Sequence, residues 1–499
     1  MNYAFDFLIS SDVDTVQTAF FEVPIACDAI KIEHNLEIPL SLLVVMEIVD
    51  SQGRVRLQKQ LGYSDKLIGI GKKNKDTTIG GIPGIIENGN WSIKIFLFTE
   101  YVQKYIKDEQ IKFSVNIYES NEEIKEHLGE DVWVDKDFEY SKYDNNKIFN
   151  MRKKWYKGDF HAHTRLSDGK ELPEGVLEKA YLMHLDFYTA TEHNLLHTGW
   201  PKSNLLVLPG TEITTTVGHA NLFGISKRPD FIESVLQERN KSVIKALMIV
   251  VAKECKLQNW LFSINHPFLS TWKWEIDELP LEYLTCLEII NDPTYECVEG
   301  EFATEANQSA VKLSDLLWED GYRICAIGGS DSHNLLDERY QNAKEPSIAG
   351  DPATWLFMDG LSADNCYTAL KSCKSCVTRH IEMFELEIKA GDNKIAAGEI
   401  IDNCVNTITW NIELQSKRKK PELFVLINGV RTSLELRNED MNTYKGHGCI
   451  DLPRDEYVCI RFGAETKDNE FMLYVNPITR GKKEHNFITF GDARKAIDI

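Results

Sequence analysis

The segment GDFHAHTRLSDG, residues 158–169, decides how this chain is read. In an extended backbone successive side chains alternate, so His161 and His163 point to the same side and can grip one metal ion together. Asp168, in the Ser-Asp-Gly turn that follows, can add an oxygen ligand. Four more segments of this kind lie downstream. TATEHN places Glu192, His193 and Asn194 at the end of an apolar run. LPGTEITTTVGHANLFG supplies Glu212 and His219, SINHPF supplies His266, and IGGSDSHN repeats the i, i+2 spacing with Asp331 and His333.

Nine of the 13 histidines fall between residues 151 and 380. Within that stretch strand-like apolar runs at 186–190, 205–208, 220–225, 260–264, 286–290 and 324–327 alternate with helical patterns, as in an α/β protein. A single histidine in such a place is more often a hydrogen-bonded core residue than a ligand. Five clusters at successive strand ends reverse that reading, because strand ends of an α/β barrel are where active sites are built. Imidazole and carboxylate together suit zinc, manganese or iron, and a carboxylate can bridge two ions. Six histidines and three acids exceed one tetrahedral site, so two or three divalent ions are expected.

The helix expected after Pro173 carries Val176, Leu177, Ala180, Tyr181 and Leu185 on one stripe, with His184 beside it as a packed or half-exposed structural residue. A second helix over 312–320 should stop at Gly321. Upstream, residues 1–150 read as a β-sandwich-like domain, with strands at 19–25, 42–48 and 91–98, followed by a polar linker over 119–150. The metallohydrolase unit then spans 151–380, and 381–499 reads as a second all-β domain.

Composition sets limits on function. A chain of 499 residues needs more than one core. Its net charge of −21 would repel a nucleic-acid backbone, which excludes long nucleic acids, although bound cations can reverse the field inside a cleft and admit a small anion. There is no apolar run of membrane-spanning length and no signal-peptide pattern, so a cytoplasmic location without membrane contact is expected. The 11 cysteines read as reduced thiols, and the isolated pair Cys373 and Cys376 as an accident of a helix surface. Nothing in the flanking β regions decides between glycan binding, covering the mouth of the site and forming an oligomer.

Taken in order, GDFHAHTRLSDG, TEHN, GTEI, GHANLFG, NHP and GGSDSHN resemble the polymerase and histidinol phosphatase (PHP) family, over about residues 158–380. The pairing of GTEI with GHANLFG and the long flanks is similar to its carbaryl-hydrolase-like branch. The resemblance implies a distorted (β/α)7 barrel flanked by all-β domains. It also implies a first metal on His161, His163, Glu212 and Asp331, a second on Glu212, His219 and His266, and a third on Asp168, His193 and His333. Many relatives have histidine where this chain has Asp168. Arg165, inside the first motif, has two readings of equal weight, a clamp on an anionic substrate oxygen and an exposed loop arginine. Glu288 and Asn291, in CLEIIND at another strand end, are candidates to line the pocket, with ordinary packing and capping the favoured reading. The expected activity is hydrolysis of small phosphate mono- or diesters through a metal-bridging hydroxide, with Arg165, Glu212 and His266 in catalytic roles. A carboxyl ester or carbamate hydrolase is the alternative, and a non-catalytic, metal-stabilised binding protein is the reading from another class.

Overall fold

The computed structural model describes every residue except 26, 99–100, 103–104, 107–109, 296–302, 342 and 498–499. The N-terminal part holds eight strands: β1 (Asn2–Ile9), β2 (Val16–Val23), β3 (Ala29–His34), β4 (Val44–Val49), β5 (Val55–Gln60), β6 (Leu67–Gly71), β7 (Gly89–Leu97) and β8 (Ile111–Glu119). Of these, β1, β7 and β8 alternate buried and more exposed side chains most clearly. They form two antiparallel sheets, ordered β1-β8-β3-β6 and β2-β7-β4-β5. The inward residues of both, among them Phe7, Ile32, Ile48, Trp91 and Val115, share one core, which makes this unit a sandwich.

Residues 120–149, expected as a linker, are not loose. Trp133, Val134, Phe138 and Tyr140 are buried in the main core. Trp133 stacks on Trp200, and the Tyr140 and Tyr143 hydroxyls donate to the carbonyls of His197 and Val207. The anchors follow neither a helical nor a strand period, so the polar composition hides them.

The central sheet contains β9 (Asn150–Asp159), β10 (Phe187–Ala190), β11 (Leu206–Thr215), β12 (Gly218–Phe223), β13 (Leu261–Ile264), β14 (Cys286–Asn291), β15 (Cys325–Gly329), β16 (Ala353–Leu361) and β17 (Ser375–Thr378). Its order is β15-β14-β13-β12-β11-β10-β9-β16-β17. β9, β10 and β11 run parallel, as do β13, β14 and β15, whereas β12 is antiparallel to both its neighbours. The sheet curls until the segment that follows β15 meets the segment that follows β9. The Asp331 amide donates to the His161 carbonyl, the His163 amide donates to the Ser332 carbonyl, and Ala162 bridges Ser332.

Helices α1 (Pro173–Leu182), α2 (Ile232–Gln237), α3 (Lys241–Gln258), α4 (Ala303–Glu319) and α5 (Ala363–Lys371) lie between some of these strands. Strict strand-helix alternation is broken where β11 and β12 form a hairpin. Pro173 opens α1, and Gly321, with φ +88°, follows the end of α4. His184 lies beyond the end of α1 with φ 53° and is exposed, so it is a turn residue rather than a packed one. Cys373 and Cys376 are both buried rather than on a helix surface.

The C-terminal strands divide between a five-stranded sheet of their own and the central sheet. Among them β18 (Met383–Ala390), β19 (Thr407–Gln415) and β20 (Thr443–Asp451) pair with one another, but β21 (Phe471–Val475) pairs antiparallel with β17 and so extends the central sheet. A last helix, α6 (Phe490–Ala496), returns to the main core through Phe490 and Ala493. Among the described residues no helix is long and apolar enough to cross a membrane.

Candidate metal centre

All nine histidines and acids named as ligands converge at one end of the curled sheet. His161 and His163 leave β9, and His193 follows β10. Glu212 sits on β11 and His219 at the start of β12. His266 follows β13, and Asp331 and His333 follow β15. His266 and Asp331 hold positive φ values of 27° and 48°, a strained backbone at the points where strands hand over to loops.

The donor atoms form four overlapping groups: His161, His163 and Glu212; His161, His266 and Asp331; His193, Glu212 and His219; and His163, Asp168, His193 and His333. His161 Nε2 lies 3.2 Å from Glu212 Oε1 and 3.3 Å from Asp331 Oδ1. His163 Nε2 lies 3.0 Å from Asp331 Oδ1, and His266 Nε2 lies 3.5 Å from Glu212 Oε1. His193 Nε2 and His333 Nε2 approach Asp168 Oδ1 at 3.4 and 3.3 Å. A tetrahedral ion with bonds of about 2.0–2.1 Å separates its ligand atoms by about 3.3–3.4 Å, and these spacings match. His161 Nε2, His163 Nε2 and Asp331 Oδ1 are also buried without a hydrogen-bond partner, which a shared cation would remedy. The residues present therefore fit a polynuclear centre.

Two details differ from the expected grouping. His163 also belongs with the Asp168 group, and His193 reaches Glu212 as well, its Nδ1 lying 2.7 Å from Oε2. Access is one-sided: the side chains of Asp168 and His333 are 27% and 24% exposed, whereas those of His161, His163 and Glu212 are completely buried.

The histidines of the cluster hold its carboxylates ionised. Burial alone would raise the Glu212 carboxyl, yet His161, His219 and His193 hold it well below the usual range. Asp168, though partly exposed, is likewise held well below the usual range by His193 and His333. His163 is pushed down to about 4 by burial and by the neighbouring His333 and His193, which leaves it neutral as a ligand must be.

No family model and no curated protein matches this chain. Among solved structures, a two-domain protein from Bacteroides vulgatus ATCC 8482 containing a predicted PHP-like metal-dependent phosphoesterase is 16% identical, over 67% of this chain and 99% of that one, with a TM-score of 0.36. A periplasmic inhibitor of g-type lysozyme from Salmonella Typhimurium is 14% identical, over 24% of this chain and 91% of its own, with a TM-score of 0.14. Likenesses this distant carry no functional argument.

Residues behind the ligands orient them. Glu288 accepts from His161 Nδ1 at 2.9 Å and from the His266 amide at 2.8 Å, and Asn291 Nδ2 donates to both Glu288 and Asp331. A carboxylate on Nδ1 forces the Nε2 lone pair of His161 toward the cluster. Glu288 and Asn291 thus do more than pack and cap. Asn265 Nδ2 donates to Glu212 Oε1 at 2.8 Å, and the His333 ring is fixed by its Nδ1 on the Asp331 carbonyl at 2.7 Å. Gly329 leaves room for His161, since a Cβ there would lie 2.2 Å from His161 Cβ.

The sequence singles out Glu192 within TATEHN but assigns it no role; it is a buried carboxylate that accepts from the amides and hydroxyls of both Thr164 and Ser167 and from His197. Its only sequence signal was its place beside His193. Arg165 is not brought to the cluster. Its Nη1 pairs with Glu126 at 3.0 Å and its Nε donates to the Lys170 carbonyl, so its charge is directed toward the segment that follows the N-terminal sandwich.

Proposed function

We propose that this chain is a metal-dependent hydrolase of small, anionic phosphate mono- or diesters, built on a distorted (β/α)7 barrel of PHP type and using two or three divalent ions. One observation carries the reading: Glu212 is shared between donor groups that continue, through His193 and His163, to a group open to solvent. Adjacent cations at such a site supply a nucleophile at neutral pH and neutralise charge on the attacking and leaving oxygens. In this reading Glu212 joins the donor groups, and His161, His266 and Asp331 hold the deep group. Asp168, His193 and His333 meet the substrate side, and Glu288 sets the tautomer of His161.

A carboxyl ester or carbamate hydrolase is the second reading. The position of Arg165 favours it, because the cation expected to clamp a phosphate is engaged elsewhere. Metal analysis of purified protein, followed by turnover of nitrophenyl phosphate, bis-nitrophenyl phosphate and naphthyl esters, tests both. Phosphoester turnover should exceed carboxyl-ester turnover, and the reverse by tenfold or more would promote the second reading. Less than one ion per chain after reloading with manganese, iron or zinc would sink the metal centre itself.

A further inference from the structure

The turn that carries Asp168 is held from two sides. On the inner side Glu192 binds Thr164 and Ser167. On the outer side the grip comes from the N-terminal sandwich. Lys59, at the end of β5, has no exposed side-chain surface, and its Nζ donates to the Arg165 carbonyl at 2.7 Å. The Ser64 hydroxyl donates to the same carbonyl at 3.2 Å, and the Gln60 amide donates to the Leu166 carbonyl at 3.1 Å. Glu126 lies 3.4 Å from Lys59 Nζ and also takes Arg165. The approach is close: a Cβ on Gly62 would meet the Ser167 carbonyl oxygen at 2.6 Å, and one on Gly80 would meet Leu166 Cδ1 at 2.4 Å.

A buried ammonium costs several kcal/mol unless it is paired and hydrogen-bonded. Adhesion does not require it, because the pairs Arg228 with Glu47 and Lys94 with Glu233 already tie the sandwich to the central unit. Lys59 instead fixes a backbone carbonyl three residues before Asp168, in the most solvent-facing donor group of the centre. We infer that Lys59 is a positioning residue through which the N-terminal sandwich clamps residues 164–168 and so sets the geometry of the donor group of Asp168, His163, His193 and His333. The inference rests on the metal-centre reading above.

Three variants test it: Lys59→Met, which keeps the stem and removes the donor; Lys59→Arg, which keeps a donor; and Lys94→Met, which breaks a sandwich contact that does not touch the turn. The readouts are ions bound per chain under chelator competition and hydrogen exchange of the peptide 164–169 in metal-free protein. Lys59→Met should weaken the most loosely held ion by about 10–100-fold, the effect typical of losing a residue that orients a ligand. It should also speed exchange in that peptide at least about tenfold. Lys59→Arg should recover part of both, and Lys94→Met should leave both as in the parent. Parent-like ion affinity and exchange in Lys59→Met would overturn the clamp. A parent protein that binds no ion would refute the metal centre, while the exchange measurement would still decide the clamp. Should Lys59→Met fail to fold, Ser64→Ala removes the other side-chain donor to the Arg165 carbonyl, and unchanged exchange there would overturn the proposal equally.

Discussion

Replacing Glu288 by glutamine keeps the size of the side chain but exchanges two acceptors for one acceptor and one donor. Glu288 now serves His161 Nδ1 through one oxygen, and the His266 amide and Asn291 Nδ2 through the other. If the new amide oxygen faces His161, its NH2 meets two donors. If it is turned round, His161 must move its proton to Nε2, the atom aimed at the cluster. The first arrangement leaves buried donors unsatisfied, at a cost of about 1–3 kcal/mol, and the second aims a proton rather than a lone pair at the ions. The loss of an orienting partner should weaken metal binding by about 10–100-fold, equivalent to about 1.4–2.8 kcal/mol. Chelator competition on protein loaded with zinc or manganese reads the affinity, and urea unfolding of the metal-free protein reads the stability. A Glu288→Gln protein within about twofold of the parent in affinity, and equal to it in stability, would refute the tautomer argument.

Glu212→Gln should lose ions and lower turnover by orders of magnitude while unfolding near the parent temperature, as metal analysis and calorimetry would show; near-normal turnover refutes its bridging role. Gly329→Ala should displace His161 and reduce metal content, since the added Cβ has only 2.2 Å to the His161 Cβ; unaltered loading would mean that the strand shifts freely. His34, buried in the sandwich, is pushed down to about 4 from 6.5, chiefly by burial. The unfolded chain therefore takes up its proton first as pH falls below 6.5, so stability drops from there toward about pH 4, by on the order of 3 kcal/mol. Urea unfolding at pH 7 and 4.5 should show a shallower loss in His34→Gln, and an identical slope would exclude His34 as the cause.

The ligand motifs were legible because each encodes its own local geometry. Alternation across a strand places His161 beside His163, and an apolar run tells where the strand ends. The holders of those ligands were not legible in the same way. Glu192 and Glu288 are single acids whose roles depend on groups 22 to 28 or more residues away, among them Thr164, His161 and the amide of His266. Arg165 was misdirected for the same reason: its partner Glu126 lies 39 residues upstream, in a stretch that reads as polar linker. The hairpin of β11 and β12 escaped notice because TTTVGH shows no Asn-Gly or Asp-Gly signal, and the mixed direction of the sheet follows from that hairpin.

The pairing of β17 with β21 has a consequence for the chain as a whole. Cys376, Val377 and Thr378 align with Val475, Tyr474 and Leu473. Without that partner the buried β17 would be a bare sheet edge, a ready template for another chain. The C-terminal strands therefore cover one edge of the sheet that carries the ligands.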